Sequence, residues 1–421
     1  MDLIALAIPF FLLAIALELL LDRYKGTGYY RASDAINSLS AGILSTTFGY
    51  FTKLLPVLVW GYVLRNFALI DMPLSWFDAS LRGILLWIVA AVAWDFCYYW
   101  FHRCSHEVSV LWAAHAVHHQ SEDYNLTTAL RQTSSGFLFG WIFYLPLFVI
   151  GFPFEVLVTV SAVNLIYQFW VHTQLVDRLG IVDRILVTPS NHRVHHAQNA
   201  QYIDKNYGGI FILWDRLFGT YAEEDSKEPV IFGVRKPLAS WNPFWANLQV
   251  YNYLWFDARR TRRWRDKLAI WFRRTGWRPA DVATRFPAAA ADLKTFRKFD
   301  PQPARRVRRY VMAQFVVAIA MTFYIGETVI QSGALAVLGP CLLLWALLAT
   351  LGYFNEASEI AVKLEAIRLL AFNPIILLLQ AVWLTPLRSE AIWLATFYTA
   401  LSLLGLLLIR TVSAEVLVDE G

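Results

Sequence analysis

The chain has 421 residues, of which 57% are hydrophobic and 16% are charged, and its mean hydropathy is +0.44. A soluble globular protein carries about a quarter charged residues. This composition excludes an ordinary soluble domain and favours an all-α protein that crosses a membrane several times. The formal net charge is only +5, and three cysteines without a recurrent spacing exclude a disulfide framework.

Stretches of roughly 18 or more mostly apolar residues are long enough to cross a bilayer as helices. The first stretch lacks the basic leading region and cleavage site of a signal peptide, so we predict an anchor helix. Another run is split by Gly151-Phe152-Pro153 and predicts a hairpin of two short spans. About nine spans are expected in total. They fall at 3–21, 39–63, 81–101, 137–171 (the hairpin), 311–330, 334–352, 369–386 and 390–409.

Basic residues are concentrated in the segment 257–309, which holds 17 of the 37 lysines and arginines. Because basic residues collect in cytoplasmic loops, we predict that this segment lies inside and faces anionic lipid. Nucleic acid is not expected as a partner. Counting spans from this segment places the N-terminus outside and all histidines at the cytoplasmic face. The missing ER-type signal favours a bacterial inner membrane over the endoplasmic reticulum.

The chain divides into three predicted parts. Residues 1–240 form a membrane-embedded core with a cytoplasmic helical cap that carries the histidines. Residues 241–310 form a basic cytoplasmic connector at the membrane surface. Residues 311–421 form a four-span helical bundle without metal-binding residue types.

All nine histidines lie between positions 102 and 196. Eight of them form one HxxxH cluster and two HxxHH clusters, spacings that place side chains on one face of a helix. Neutral imidazole is the commonest nitrogen ligand of iron, copper and zinc. For the isolated His172, a hydrogen-bonded core residue is the alternative interpretation. We predict that the metal ligands are His102, His106, His115, His118, His119, His172, His192, His195 and His196.

The pattern also restricts which metal is bound. There is no HExxH motif of a metalloprotease, no ExxH pair of a ferritin-like bundle, and no cysteine-rich zinc site. A nitrogen-rich set that leaves positions open for dioxygen suits two iron ions. Ions bound by neutral rings need anions nearby, so we expect carboxylates to hold the ring N–H groups. Asp95, Glu107, Glu122 and Asp123 are placed for this, and Asp95, Glu107 and Asp123 are the predicted catalytic carboxylates. A helix-packing hydrogen bond is the alternative for Asp95.

The three clusters resemble the histidine boxes of the fatty acid hydroxylase superfamily of membrane di-iron oxidases. His172 resembles the additional histidine that such enzymes carry between the second and third boxes. Longer stretches are similar to the alkylglycerol monooxygenase branch, and the resemblance covers roughly 80–225. These stretches are 112–119, 124–132, 191–196, 202–209 and 214–220.

This resemblance implies an O2-dependent monooxygenase that hydroxylates the carbon next to the oxygen of a glyceryl ether lipid. The hemiacetal then collapses to an aldehyde and a glycerol. It further implies a functional role for Glu107, a lipid substrate drawn from the bilayer, and an external electron donor, which is tetrahydrobiopterin in the animal enzymes. Aromatic residues near the boxes could line the path of the lipid or form an interfacial belt. They are Tyr98, Tyr99, Trp100, Phe101, Phe169 and Trp170.

Other functions remain open at this point. The same scaffold could hydroxylate or desaturate fatty acids, sterols or carotenoid-like lipids, because the spacing of the boxes does not separate these reactions. A divalent-metal transporter is a more distant alternative, since transport sites lie near the bilayer midplane and these histidines lie at span ends. A sensor or scaffold without turnover could carry the same ligands.

Overall fold

The computed structural model describes residues 3–288, 291–383 and 389–418. These residues form an all-helical structure without β-strands, in which isolated β-bridges join Val108 to Arg274, Leu186 to Phe211 and Ala197 to Phe232. The prediction of an all-α protein is therefore confirmed.

The first nine helices are α1 Leu3–Lys25, α2 Ala32–Thr52, α3 Leu54–Phe67, α4 Leu81–Glu107, α5 Ser109–His119, α6 Leu126–Ala129, α7 Leu145–Ile150, α8 Phe154–Trp170 and α9 Pro189–His195. The others are α10 Leu213–Phe218, α11 Pro243–Arg260, α12 Trp264–Phe272, α13 Ala280–Arg285, α14 Arg305–Ser332, α15 Leu338–Asn355, α16 Ala361–Ile367, α17 Asn373–Trp383 and α18 Ser389–Val418.

Short helices of other types join these elements. The 3₁₀ helices are Leu74–Trp76, Gly136–Leu138, Gly140–Tyr144, Val182–Arg184 and Ala334–Val337, and a π-helical turn covers Arg368–Phe372.

The number of long apolar helices is lower than the expected count of spans. In the described ranges, four helices are long and apolar enough to cross a membrane, or five if the bent pair α2 and α3 forms one span. The difference has local causes. The predicted span 39–63 is bent by 52° between α2 and α3, and the predicted hairpin consists of shorter helices, Gly140–Ile150 and Phe154–Trp170. The predicted span 369–386 extends into residues outside the described ranges.

The chain forms two compact units. The first comprises residues 1–42, 52–238 and 247–298, and the second comprises 43–51, 239–246 and 299–421. All nine histidines belong to the first unit. Much of the basic segment, up to residue 298, also packs within it. A surface location for the predicted connector 241–310 stays a prediction.

Aromatic packing fixes α4 within the first unit. The rings of Trp94 and Tyr144 stack with their centroids 4.0 Å apart, and those of Trp60 and Phe148 stack at 5.2 Å. These side chains belong to a buried apolar cluster formed by α3, α4, α7 and α8. Burial of such rings is the main favourable contribution to packing. It anchors the middle of α4, so that the last turn of this helix is held in a defined position.

A sharp corner follows α4 and brings the first two histidine clusters together. Val108 leaves the helical conformation, with φ −112° and ψ 123°, and α5 begins at the next residue. The corner is held from the side by Thr275, whose N–H donates to the carbonyl of Glu107 at 3.1 Å. The last turn of α4 and the whole of α5 can therefore direct side chains into one space.

The expected break at Gly151 is a turn with positive φ. Gly151 ends α7 with φ 110°, a conformation that residues with a Cβ rarely adopt. A Cβ at this position would lie 1.9 Å from the carbonyl oxygen of Ile70. The adjacent backbone is paired, because the N–H of Leu69 donates to the carbonyl of Val149 at 2.8 Å. The close approach of the two segments requires glycine.

We predict that Gly151→Ala lowers the free energy of unfolding by about 2 kcal/mol or more, because it adds backbone strain and a steric clash. Thermal melting of the detergent-solubilised protein measures the change. Gly61→Ala is the matched control, since Gly61 lies inside α3 with no atom within 4 Å of its added Cβ. Equal melting temperatures for the two variants would contradict this account of the turn.

Candidate metal centre

All nine histidine rings converge on one region of the first unit and form two groups. Within each group, the candidate ligand nitrogens lie within 4.8 Å of one another. The groups adjoin, since the rings of His119 and His196 stack with centroids 4.3 Å apart. The five-histidine group contains His102, His106, His115, His119 and His195. The four-histidine group contains His118, His172, His192 and His196.

Four segments supply these rings. His102 and His106 lie on the last two turns of α4, and the second cluster lies on α5. His172 follows the end of α8, and α9 with its C-terminal cap carries the third cluster. The expectation that histidines at helical spacing share a face is confirmed for His102 and His106, which belong to the same group.

Backbone carbonyls orient four of the rings. In each case Nδ1 lies within hydrogen-bonding distance of a carbonyl oxygen, so the neutral ring donates its single N–H there. Its Nε2 then carries a lone pair directed towards the other rings. These pairs are His102 with Tyr207 at 2.8 Å, His118 with Arg131 at 3.0 Å, His172 with Gln168 at 2.8 Å and His195 with Lys205 at 2.9 Å.

Several inward-facing nitrogens have no hydrogen-bond partner. The Nε2 atoms of His102 and His119 each lie 3.1 Å from Nε2 of His115, and Nε2 of His172 lies 3.2 Å from Nε2 of His118. His118 and His172 both donate from Nδ1 to backbone carbonyls, so the lone pairs on their two Nε2 atoms form no hydrogen bond with each other. A buried polar atom without a partner costs about 1–3 kcal/mol. Further ring nitrogens without a hydrogen-bond partner are His106 Nε2, His192 Nδ1, His195 Nε2 and His196 Nε2.

Burial keeps these rings neutral. It lowers the pKa of His118 to about 4, and it lowers the pKa of His119 and His196 well below the ordinary value, with neighbouring histidines adding to the effect. At neutral pH the lone pairs are therefore free to bind a metal. Two groups of four and five neutral nitrogen donors fit iron with positions left for dioxygen.

Asp95 does not hold a histidine ring, contrary to the expectation from the sequence. Asp95 is fully buried in α4, and its carboxylate accepts hydrogen bonds from the backbone N–H groups of Ile210 at 2.8 Å and Phe211 at 3.0 Å. It also accepts from Trp214 Nε1 at 3.0 Å and Asn164 Nδ2 at 2.7 Å. These four donors occupy the carboxylate, and none of them is a histidine ring.

Glu107 and Asp123 are also held by groups other than histidines. Glu107 pairs with Arg103 at 3.1 Å, one helical turn away. Asp123 accepts from Arg31 Nε at 3.0 Å and from Lys298 Nζ at 2.6 Å. The expectation that these carboxylates hold ring N–H groups is therefore wrong. The physical reason is that backbone carbonyls accept the N–H groups of four rings, whereas Glu107 and Asp123 are paired with cations. The fourth carboxylate, Glu122, lies 3.8 Å from the Arg31 guanidinium.

One loop orients two rings of the five-histidine group, and sequence reasoning missed this arrangement. The carbonyls of Lys205 and Tyr207 hold His195 and His102. Asp215 in turn holds the loop, because its carboxylate accepts from the N–H groups of Tyr207 at 2.7 Å and Gly208 at 2.8 Å. Burial raises the pKa of Asp215 to about 6.

The sequence does contain a signal for this loop, in the pair Gly208-Gly209. A Cβ on Gly209 would lie 2.6 Å from the carboxylate of Asp95, and one on Gly208 would lie 2.4 Å from the carbonyl oxygen of Phe211. Adjacent glycines indicate a place where other groups approach the backbone closely. The buried carboxylates of Asp95 and Asp215 are the groups that bind the backbone here.

We predict that Asp215→Asn lowers the affinity for iron by about 10–100-fold, as loss of an outer hydrogen-bond partner does at other metal sites. The asparagine side chain keeps one oxygen acceptor, but its NH2 group would face the backbone N–H of Tyr207 or Gly208 and form no hydrogen bond with it. The loop would then hold the carbonyl of Tyr207, which orients His102, less firmly. Iron retained against a graded series of chelator concentrations measures the change. The control is Asp225→Asn, at an exposed position. Wild-type iron affinity in Asp215→Asn would refute this role.

Comparisons with known proteins agree with this site. The family model described as fatty acid hydroxylase matches residues 87–220, which contain every histidine. The chain is 35% identical to the alkylglycerol monooxygenase of Xenopus tropicalis over 379 residues, covering 88% of this chain and 81% of that protein. It is 34% identical to the human alkylglycerol monooxygenase over 381 residues, with coverages of 88% and 82%.

A more distant similarity is confined to part of the chain. The ornithine lipid hydroxylase OlsE of Rhizobium tropici is 31% identical over 142 residues, which are 32% of this chain and 41% of that protein. No solved structure is significantly similar. The relatives and the histidine groups identify a lipid monooxygenase, an oxidoreductase embedded in a membrane. The chain belongs to the fatty acid hydroxylase family and, within it, groups with the alkylglycerol monooxygenases.

Proposed function

We propose that this chain cleaves alkylglycerols by hydroxylating the carbon next to the ether oxygen, with two iron ions held by the nine histidines. The observation that carries the proposal is the pair of histidine groups, in which four buried ring nitrogens have no hydrogen-bond partner. Similarity to alkylglycerol monooxygenases over most of the chain supports the choice of substrate.

Iron supplies the activation of dioxygen that side chains cannot provide for an unactivated C–H bond. One oxygen atom enters the C–H bond of the substrate, and the other leaves as water after an external donor has supplied two electrons and two protons. The hydroxylated carbon is a hemiacetal, which breaks its C–O bond to give an aldehyde and a glycerol.

The protein positions the reaction through the orientation of its ligands. Carbonyl groups hold the outer nitrogens of four rings, so that their inner nitrogens stay in place without protonation. Because every proposed ligand is neutral, the ions keep their full positive charge in a buried site, and electrostatic interactions there are strong. Such a site would favour negative charge that develops on oxygen as the external donor supplies electrons.

Roles for the three predicted catalytic carboxylates are part of the proposal. Asp95 acts by positioning, through the backbone of Ile210 and Phe211. Glu107 directly follows His106, and its side chain is 29% exposed, which suits an exchange of protons with solvent. Asp123 fixes the segment after the second cluster through Arg31 and Lys298.

The proposal also covers the side of the membrane on which the histidine site lies and the donor of the electrons. The basic residues of 257–309 favour a histidine site on the cytoplasmic side of the membrane. A bacterial inner membrane is part of the proposal. The two electrons come from an external donor, for which tetrahydrobiopterin is the candidate by family resemblance.

A second candidate function is the hydroxylation of another lipid. The partial similarity to an ornithine lipid hydroxylase lies in about a third of the chain, so the histidine scaffold also occurs with other lipid substrates. A stable hydroxylated product would indicate this reaction, because only hydroxylation next to the ether oxygen gives an aldehyde. Fatty acids, sterols and carotenoid-like lipids are the substrates to compare.

We predict that the protein, reconstituted without oxygen, binds about two iron ions per chain, one for each histidine group. With hexadecylglycerol, a reductant and oxygen, it should release hexadecanal, detected by mass spectrometry. His118→Ala should lower aldehyde formation by about 100-fold or more, because it removes a ligand of the four-histidine group.

Asp225→Asn serves as the control for expression and reconstitution. Less than one iron per chain, together with no lipid-dependent oxygen use, would refute the proposal. A stable hydroxylated lipid in place of the aldehyde would favour the second candidate function.

A further inference from the structure

A second site lies on the surface of the first unit, in a pocket formed by residues 178–191 and 216–223. Its volume is about 510 Å³, within the range of pockets that bind small ligands. No histidine of the described chain lines it, so it is separate from the metal centre. Three arginines do line it, and we call it the arginine pocket. They are Arg178, Arg184 and Arg216.

Two of these arginines have no anionic partner. Arg178 pairs with Glu223, with its Nη1 atom 2.9 Å from the carboxylate. In the part of the chain that the structure describes, neither Arg184 nor Arg216 has a carboxylate oxygen within 4.0 Å of its guanidinium group. Both side chains are exposed at the mouth of the pocket. Two positive charges are therefore available for an anion.

The second carboxylate of the pocket does not compete for these cations. Asp183 is buried, and its carboxylate accepts from the backbone N–H of Leu179 at 2.7 Å and from the hydroxyl of Thr188. These contacts join the two ends of the segment that forms one wall. The carboxylate thus shapes the pocket, and the arginines determine its charge.

The guanidinium of Arg216 is held in place by an aromatic ring. Its Cζ atom lies 3.9 Å from the centroid of the Tyr221 ring. Tyr221 in turn packs against a buried apolar cluster that contains Val187 and Ile212. A guanidinium stacked in this way keeps the N–H groups along its edge free, and this planar fork matches two oxygens of a phosphate group.

The rim of the pocket is apolar. Ile181 is 67% exposed and Leu217 is 69% exposed, and Leu179, Ile185 and Leu213 are exposed as well. Single apolar side chains on a surface are common, but several around one pocket indicate contact with a partner or a membrane. Arginines beside exposed aliphatic side chains are typical of segments that lie at a membrane surface.

Helix α10 lies beside a candidate membrane span. The ring of Phe218 stacks on that of Tyr99 with centroids 5.4 Å apart, and the rings of Trp214 and Phe96 meet at 5.1 Å. Phe96 and Tyr99 belong to the C-terminal half of α4, which is long and apolar enough to cross a membrane. Aromatic side chains near the end of a span are common at the level of the lipid headgroups. The arginine pocket adjoins this level through α10.

We infer that the arginine pocket binds the phosphate group of an anionic phospholipid from the bilayer. Arg184 and Arg216 bind the phosphate oxygens, while Leu213 and Leu217 contact the upper part of the acyl chains. A soluble phosphate ester offers the same group but leaves the apolar rim in water, so the rim favours the lipid. The alkylglycerol of the proposed reaction is uncharged and has no phosphate, so the bound phospholipid is a second lipid and not the substrate.

Photo-crosslinking in lipid nanodiscs tests this site. A phosphatidylglycerol with a diazirine near the carbonyl end of one acyl chain, at a low proportion in phosphatidylcholine, should label Ile181, Leu213 or Leu217. Arg184→Gln and Arg216→Gln should each reduce this labelling by about fivefold, the effect of one basic residue at an anionic membrane surface. Equal labelling by the corresponding phosphatidylcholine probe, or undiminished labelling in both variants, would overturn the inference.

Arg82→Gln is the matched control. The guanidinium of Arg82 also lies over an aromatic ring, 4.4 Å from the centroid of Trp76, but near the start of α4. This variant loses the same charge and should keep wild-type labelling of the pocket, and an equal loss would overturn a specific site. An excess of glycerol 3-phosphate separates the two sources of phosphate. Labelling should persist in its presence, whereas loss of labelling would overturn the assignment to a lipid.

Glu223→Gln tests the inference in the opposite direction. It removes the carboxylate that pairs with Arg178 and leaves a third guanidinium for the phosphate. Labelling by the phosphatidylglycerol probe should rise by about fivefold. Unchanged labelling would contradict binding by charge, and this variant decides the matter if the arginine variants fail to fold. Aldehyde release is not a readout of these experiments, so their outcome is independent of the proposed reaction.

Discussion

The structure depends on one physical constraint: lone pairs of neutral imidazoles must face one another in a buried space. This arrangement is unfavourable without a bound cation, because buried nitrogens such as His106 Nε2, His195 Nε2 and His196 Nε2 have no hydrogen-bond partner. It persists only if the rings are prevented from turning to better partners. The carbonyl groups of Gln168, Arg131, Lys205 and Tyr207 provide this restraint from the outer side.

The restraint continues outward from the rings. A buried carboxylate binds backbone N–H groups, the backbone presents a carbonyl, and the carbonyl orients an imidazole. Asp215 and Tyr207 form such a series with His102. The carboxylate of Asp215 thereby positions the ring of His102 without contacting it. The proposed ions would retain their electrophilic character, which direct carboxylate ligation would reduce.

The sequence predicted the chemistry of the site better than its arrangement. Helical periodicity correctly identified side chains on a common face, such as His102 and His106, and the all-α class followed from composition. The division into groups of five and four was not predictable, because it depends on the corner at Val108 and on the packing of α9. The contacts of Asp95 were missed for a similar reason, since its partners lie more than 60 residues away in the chain. Apolar runs also could not show the bend between α2 and α3.

Two pairs of consecutive residues connect the histidine groups. His118 belongs to one group and His119 to the other, and the same holds for His196 and His195. Each pair is joined by a single rigid peptide unit. If the proposed ions bind, occupation of one group would fix backbone that the other group shares, so that loading with the two ions would be cooperative. A half-loaded enzyme would already be organised for its second ion, and a displacement of α5 or α9 would disturb both centres together.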